Sequence, residues 1–306
     1  MKALRFGSVV VAAALASLVL SQCSVVQQGA KILGDTGQIS EKDRDSIVKT
    51  SEAVRSTFSE ITEQEEYYIG RAVSALILSR YKANTNDALT DYVNVCGKTI
   101  SYSSDRPETY GGYHFLVLDT DEINALAAPG GFVFVTKGLL KRCKDEEMLA
   151  SILAHEIGHV ASKHGLQSIK KSRLVDAFKV LGKEAATRYG SKELAELTGI
   201  FENVLGDIVE SLVEKGYDRK YEYEADKLAV KYATATGYDP NGLGRFLKTM
   251  TGGPGAGGAK GWFKTHPSAE DRLDKVNSQI KGMGTVPKTL DVRTARFLQA
   301  AKGLRP

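Results

Sequence analysis

The chain has 306 residues, of which 42% are hydrophobic and 25% are charged, and its formal net charge is +4. This length and apolar content are sufficient for a folded domain with a substantial core, which excludes a disordered or fibrous protein. The small net charge gives no electrostatic sign of nucleic-acid binding, so we expect no nucleic-acid partner.

The N-terminus has the pattern of a bacterial secretory signal. Lys2 and Arg5 precede an apolar run from Val9 to Leu20. The run is short for a membrane span but has the length of the apolar part of a signal peptide. We therefore predict a signal peptide over residues 1–22. No later segment is long and uncharged enough to span a membrane.

The sequence Leu20-Ser21-Gln22-Cys23 resembles a lipobox, although Gln22 stands where a small residue is usual. We predict that Cys23 carries a lipid and that the polar residues 23–50 form a tether. Cleavage after Ala14-Leu15-Ala16 and an uncleaved anchor remain alternatives.

Two helices are predicted next along the chain. The apolar spacing from Ser51 to Tyr81 is helical, and Leu89 to Ile100 forms a second helix. The second helix contains Cys96. In an oxidising envelope Cys96 could form a disulfide with Cys143, but two free thiols fit the sequence equally well.

Two strands follow the helices. His114 to Leu118 and Phe132 to Thr136 alternate or run apolar, and Pro129-Gly130-Gly131 predicts a turn before the second strand.

The most informative motif is His155-Glu156-Ile157-Gly158-His159. Asp145 to His164 is predicted as one helix capped by Asp145, on which positions four apart share a face. His155 and His159 can therefore bind one zinc ion, and Glu156 can act as a base beside it. A chance HExxH on an ordinary helix is the alternative.

A catalytic zinc needs a third protein ligand. His164 is out of register for the metzincin pattern, and we predict that it is exposed near the helix end. A second helix begins with Tyr221-Glu222-Tyr223-Glu224-Ala225-Asp226, in which Glu222 and Asp226 share a face and Glu224 points elsewhere. One of that pair can bind zinc while the other supports a ligating histidine. A charged helix start is the alternative.

Two further segments have open interpretations. The region Leu194 to Val213 is amphipathic and could lie on a membrane surface or pack on the domain. The glycine-rich segment Gly252 to Gly261 leads to His266 and could be a lid or a passive linker.

Several stretches together resemble one family. The HExxH motif with a distant ExxxD is the gluzincin arrangement, and Ile123 to Val135, Thr136 to Leu140 and Thr265 to Arg272 are similar to the HtpX, BepA and LoiP group of zinc metalloproteases. These are relatives of the CAAX prenyl endopeptidases. The resemblance covers about residues 60 to 280, and its motifs occur together and in order.

The resemblance implies roles for specific residues. It assigns one Zn²⁺ to His155, His159 and Glu222, with Asp226 behind a histidine ligand and the His266 loop near the metal. A zinc peptidase also needs one donor besides the metal to stabilise the oxyanion, and our hypothesis is His266, with Arg272 positioning its loop. The resemblance suggests an alternative in which His266 is a latch on the fourth zinc position. It also implies that Asn124 to Ala127 form a sheet edge beside the cleft, where Asn124, Ala125 and Ala127 could hold an extended substrate. An internal hairpin strand is compatible with the same residues.

The sequence therefore predicts an α+β fold, a mostly helical zincin-type domain with a small antiparallel sheet beside the active-site helix. We assign residues 51–282 to this domain and 283–306 to a C-terminal extension. The predicted function is a lipid-anchored zinc endopeptidase of the bacterial envelope, facing the periplasm or exterior, that cuts extended or misfolded proteins. A latched, weakly proteolytic assembly factor and a zinc hydrolase acting on other amides are the alternatives.

Overall fold

The computed structural model describes residues 61–167, 205–206, 208–251, 262, 265–266 and 269–304. The predicted signal peptide and tether, the start of the first predicted helix, most of Leu194 to Val213 and the segment Gly252 to Gly261 lie outside the described residues. None of the helices in the described part of the chain is long and apolar enough to cross a membrane.

The described residues are mostly helical, with one small sheet. The helices are α1 (Glu63–Arg80), α2 (Asp87–Ser101), α3 (Lys137–Arg142), α4 (Glu146–Ala161), α5 (His164–Gln167), α6 (Arg219–Ala235), α7 (Asn241–Met250), α8 (Ala269–Gly282) and α9 (Asp291–Ala300). A π-helical turn covers Glu210–Lys215, and 3₁₀ turns cover Pro129–Gly131 and Lys302–Leu304. The strands are β1 (His114–Leu118), β2 (Ala125–Ala128) and β3 (Phe132–Thr136). The predicted α+β class is confirmed, and β1 and β3 have the predicted bounds.

The sheet is mixed, so the prediction of an antiparallel sheet is wrong in this respect. Its order is β1-β3-β2, with β2 antiparallel and β1 parallel to β3. The chain reverses direction between β1 and β2 and again at Pro129–Gly131, so β3 runs in the same direction as β1. The alternation of apolar residues indicates on which face of a strand each side chain lies. It does not indicate which other strand is the neighbour in the sheet.

Both faces of β2 are buried. Ala125 and Ala127 of β2 face the larger hydrophobic core around α4, whereas Leu126 and Ala128 face a smaller core formed with α1. This alternation is the period of two expected of a strand. On β2, the side chains that face α4 are alanines, which allows the backbone of β2 to lie close to that helix.

Helix α4 lies at the centre of the larger core, and every residue from Glu146 to Val160 is buried. The Asp145 side chain caps it by accepting a hydrogen bond from the Met148 amide at 2.8 Å, as predicted. The helix ends at Ala161, earlier than predicted. Lys163 adopts a left-handed conformation with φ 54°, which ends the helix and changes the direction of the chain before His164.

Helices α4 and α6 approach closely at the HExxH motif. A Cβ atom on Gly158 would lie only 3.3 Å from Ala225 Cα and from Leu228 Cβ. Contacts this short leave little room for a side chain, so glycine at this position allows α6 to bring Glu222 beside the two histidines.

Cys96 and Cys143 are both buried and are not joined by a disulfide. Burial raises the pKa of the Cys96 thiol to about 12. The structure therefore agrees with the alternative in which Cys96 and Cys143 are not bonded to each other, and packing holds α2 against the core around α4.

Candidate metal centre

Four buried side chains converge at the centre of the molecule. His155, His159, Glu222 and His266 each offer one ligand atom, and these atoms all lie within 4.8 Å of one another. The histidine pair comes from α4, Glu222 from the first turn of α6, and His266 from the segment before α8. Nitrogen and carboxylate donors in such a cluster suit a zinc-type cation.

The two histidines of α4 turn the same ring atom toward this cluster. Their Nε2 atoms are 3.1 Å apart, as expected for side chains four residues apart on one helical face. Glu222 completes the group, with Oε2 3.6 Å from His155 Nε2 and Oε1 3.4 Å from His159 Nε2. All three side chains are fully buried.

Asp226 and Arg272 lie directly behind the cluster. Asp226 Oδ1 is 2.9 Å from His155 Nδ1, which directs the other ring nitrogen of His155 toward the cluster. Arg272 donates from Nε and Nη2 to the two Asp226 oxygens, each at 2.7 Å. Its Nη1 also lies 2.8 Å from Glu222 Oε2. Arg272 is therefore in contact with both acidic residues of the ExxxD motif.

The electrostatics of the cluster favour a cation. Burial and Arg272 lower the pKa of His155, but Asp226 and Glu222 outweigh them and raise it to about 9. Burial raises the pKa of Glu222, yet His266 and Arg272 hold it well below its usual value, so the carboxylate is ionised. Burial lowers the pKa of His159 to about 3, so that ring is neutral and its Nε2 can serve as a ligand.

Glu156 lies beside the cluster without belonging to it. Both of its carboxylate oxygens are buried and have no hydrogen-bond partner among the described residues, and Oε1 is 3.7 Å from His266 Nε2. Burial raises its pKa. Glu156 also lines a small pocket with room for about one water molecule. A buried carboxylate without a hydrogen-bond partner is costly, so it is expected to have a chemical role.

His266 is held inside the cluster by its neighbours. Its Nδ1 is 3.0 Å from Glu222 Oε2, and its ring stacks on Trp262 with centroids 4.2 Å apart. The preceding residue, Thr265, donates a hydrogen bond of 2.9 Å to Asn124 Oδ1. The predicted substrate-strand residue Asn124 therefore contacts the His266 segment.

Strand β2 lies at an edge of the described sheet and forms a hairpin with β3. It therefore fits both predictions made from the sequence, a sheet edge and a hairpin strand. Its outward groups already have neighbours. His266 Nε2 lies 3.4 Å from the Ala125 carbonyl oxygen, and the Tyr217 hydroxyl lies 3.5 Å from that of Ala127. The Ala125 amide donates to Asn124 Oδ1 at 3.0 Å. A peptide that pairs with this edge must displace these contacts.

The prediction that His164 is exposed is wrong, because its side chain is fully buried. The left-handed turn at Lys163 places it against the metal cluster, with Nδ1 2.9 Å from His159 Nδ1. That atom is on the opposite side of the His159 ring from Nε2, so His164 cannot reach the same cation. Glu224 points away from the cluster, as predicted, and contacts Ser162 and His164.

Sequence reasoning missed Tyr217 and Trp262. The Tyr217 ring stacks on His159 with centroids 4.5 Å apart, and Gly216 before it approaches the Thr265 backbone so closely that a Cβ would lie 2.3 Å from Thr265 O. The aromatic residue two positions before α6 was the available signal for Tyr217. For Trp262, the available signal was that it is the only tryptophan of the chain and that it lies shortly before His266 in the sequence.

A helix bearing HExxH, joined to a carboxylate from a second helix, defines a metallopeptidase. The comparison with protein families agrees. The model of Peptidase family M48 matches residues 87–280, which is more than half of the chain, and the chain belongs to this family.

Several metalloproteases are similar in sequence. The chain is 24% identical over 252 residues to the Beta-barrel assembly-enhancing protease of Escherichia coli, covering 81% of this chain and 50% of the relative. It is 30% identical over 169 residues to Metalloprotease YcaL of the same organism, covering 55% and 62%. It is 32% identical over 158 residues to Mitochondrial metalloendopeptidase OMA1 of Schizosaccharomyces pombe, covering 51% and 43%. The chain thus spans about half the length of these curated relatives.

Proposed function

We propose that this chain is a zinc endopeptidase of the bacterial cell envelope, anchored by a lipid on Cys23, that hydrolyses peptide bonds in extended or misfolded proteins. One observation carries the proposal. A cluster of four buried ligand groups lies beside β2, and the carboxylate of Glu156, which has no hydrogen-bond partner among the described residues, lines a pocket with β2 and His266. Similarity to bacterial proteases, among them the Beta-barrel assembly-enhancing protease, supports the envelope location.

His155, His159 and Glu222 would hold the metal. When bound, Zn²⁺ supplies a Lewis acid that polarises the peptide carbonyl and lowers the pKa of water toward about 7. Asp226 and Arg272 keep His155 and Glu222 oriented through the contacts described above. This support matters because ligands on two helices must keep their geometry as substrate enters.

Glu156 moves the proton. As a carboxylate beside the cluster without a hydrogen-bond partner among the described residues, it takes a proton from the attacking water and passes it to the leaving amine. Burial raises its pKa, which favours the protonated state that the second half of this transfer requires. Its neighbour His155 directs Nε2 toward the other ligand groups and would hold the metal, so the two side chains have separate tasks.

The substrate would bind as a strand along β2. The carbonyl oxygens of Ala125 and Ala127 are contacted by side chains that do not belong to β3, and an extended peptide can pair with such an edge through main-chain hydrogen bonds. Main-chain pairing is weakly dependent on side chains. It therefore suits a protease that recognises the extended state of a protein rather than one sequence.

Digestion of an unfolded protein such as reduced casein tests the proposal. The purified protein should cleave casein when loaded with Zn²⁺, lose activity after treatment with a chelator, and regain it when one equivalent of Zn²⁺ is restored. Folded globular proteins of about the same size as casein serve as a control and should be cut far more slowly. Cleavage that persists in the chelator would contradict a metal-dependent mechanism.

A latched, weakly proteolytic assembly factor is the second candidate. The observation that favours it is the position of His266, which lies among the ligand atoms while its ring also faces the edge of β2. In this arrangement His266 would occupy the fourth position on the metal and block the strand edge. The same contacts would also limit the activity of the proposed protease. The two candidates therefore differ in whether His266 leaves this position.

We expect His266→Ala to raise the rate of casein cleavage several-fold, because the substitution frees both the fourth position and the Ala125 carbonyl. The measurement is kcat and KM on a fluorescent unfolded protein. His114→Ala, an exposed histidine on β1, is the matched control and should leave the kinetics unchanged. A fall in kcat of about 10²–10³ would instead identify His266 as a transition-state donor.

We expect Cys23→Ser to abolish incorporation of a labelled fatty acid and to release the protein from the membrane fraction. A bacterial lipoprotein carries two or three acyl chains, and this number is needed for stable anchoring since one chain binds only marginally. Cys96→Ser is the control and should keep both the label and the membrane association. Label that persists in Cys23→Ser would disprove this anchor while leaving the proposed peptidase activity untouched.

A further inference from the structure

We propose that His164 and Glu224 form a hydrogen-bond relay that fixes the orientation and tautomer of the metal ligand His159. The relay runs from Glu224 on the surface of α6, through the buried ring of His164, to the side of His159 that faces away from the metal cluster. This inference rests on the proposed metal site and adds two positioning residues to it.

The two histidine ligands are supported differently. His155 Nδ1 contacts the carboxylate of Asp226 directly at 2.9 Å. His159 Nδ1 contacts another imidazole, with His164 Nδ1 at 2.9 Å. The second nitrogen of His164, Nε2, lies 3.4 Å from Glu224 Oε2. On its Nδ1 side, among the described residues, His159 thus reaches a carboxylate only through His164.

The chemistry of the ligand determines the direction of the relay. His159 Nε2 faces the cluster and must be free of a proton to bind a cation, so its single proton is on Nδ1. His159 Nδ1–H then donates to His164 Nδ1, which must be the bare nitrogen of its ring. His164 consequently carries its proton on Nε2 and donates it to Glu224. One tautomer of each ring satisfies all three contacts.

The surroundings hold this arrangement in place. The rings of Tyr221 and Tyr217 lie against His164, with centroids 4.4 Å and 6.0 Å away. Ser162 donates a hydrogen bond of 3.0 Å to the other Glu224 oxygen. The left-handed conformation of Lys163 turns the chain so that His164 faces back toward His159. A non-glycine residue in this conformation carries a backbone cost, which is consistent with a functional need for the turn.

Substitutions at position 164 test the relay through metal affinity. In His164→Phe the ring is kept but the acceptor is lost, whereas in His164→Asn a carbonyl oxygen lies near the position of Nδ1. We expect His164→Phe to weaken Zn²⁺ binding, measured by competition with a chromogenic chelator, by about 10–100-fold. With Zn²⁺ saturating, kcat should fall while KM changes little. His164→Asn should recover most of the affinity, and Glu224→Ala should have a smaller effect in the same direction.

His114→Phe is the matched control, since it removes an exposed histidine far along the chain from the motif and should leave metal affinity unchanged. A His164→Phe protein that binds Zn²⁺ as tightly as the unaltered protein would overturn the relay but not the peptidase. An unaltered protein that binds no metal would overturn both.

Nitrogen NMR of the unaltered protein tests the relay without any substitution at position 164. The chain has five histidines, so a sample labelled with ¹⁵N-histidine gives few signals to assign. In the Zn²⁺-loaded protein, His159 should carry its proton on Nδ1 and His164 on Nε2. A proton on Nδ1 of His164 would disprove the proposal, because that nitrogen could then no longer accept from His159.

Discussion

Glu156→Gln should abolish peptide cleavage while the protein keeps its metal. The substitution preserves the size of the side chain but removes its ability to take and return a proton, a role that contributes about 10²–10⁴-fold to rate. The metal content should not change, because Glu156 lies outside the group of four ligand atoms. Single-turnover cleavage of an unfolded protein and metal analysis of the same sample measure the two quantities.

The structure adds an expectation about stability for this variant. Both Glu156 oxygens are buried without a hydrogen-bond partner in the described part of the chain, so a neutral amide at this position should leave the free energy of unfolding equal or higher. Glu270→Gln, which changes an exposed carboxylate at the start of α8, is the control and should affect neither rate nor stability. Retention of more than a tenth of the activity in Glu156→Gln would show that another group is the base.

Arg272→Met should lower the free energy of unfolding of the metal-free protein by about 3–5 kcal/mol. Arg272 is fully buried, donates to both oxygens of Asp226 and lies 2.8 Å from Glu222. Its removal takes away the guanidinium that both buried carboxylates contact and leaves His155 as their nearest positive group. Urea unfolding at neutral pH, with chelator present, measures the loss.

The loss should shrink in acid. Burial raises the pKa of Asp226, but Arg272 and His155 lower it by more, so it lies below the usual 3.8. A carboxylate whose pKa is lowered by folding stabilises the folded state at pH values above its pKa in the unfolded chain. This stabilisation is lost as the pH falls through the pKa of the folded state.

Arg219→Met is the control. Arg219 is 68% exposed and pairs with Asp271 only at 3.9 Å, so its removal should cost about 0–1 kcal/mol. An equal loss in both variants would contradict the structural role assigned to Arg272.

The elements around the site follow from local patterns. The strands β1 and β3 lie where the alternation predicts them, and Asp145 caps the HExxH helix. These features depend on residues a few positions apart, such as a side-chain oxygen that accepts from an amide three residues later. The chemistry of the motif is equally local, because a spacing of four on a helix already places His155 and His159 on one face.

The wrong predictions concern features that depend on distant contacts or on one backbone angle. The parallel pairing of β1 with β3 depends on how the chain places these two strands side by side. The alternation of apolar residues does not contain that information. The burial of His164 follows from the left-handed conformation of Lys163. Lysine rarely adopts this conformation, so the sequence favoured a continued helix and an exposed side chain.

The sequence by itself determined the kinds of ligand and base, the helix that carries the HExxH motif, and the class of enzyme. The tertiary structure decided that Glu222 and His266, 44 residues apart, meet at about 3 Å, that Arg272 supports the acidic pair, and that His164 lies behind His159. The physical reason is the range of the interactions. Helical and strand periodicity act over a few residues, whereas the centre is assembled by packing α4 against α6 and by the close approach that Gly158 permits.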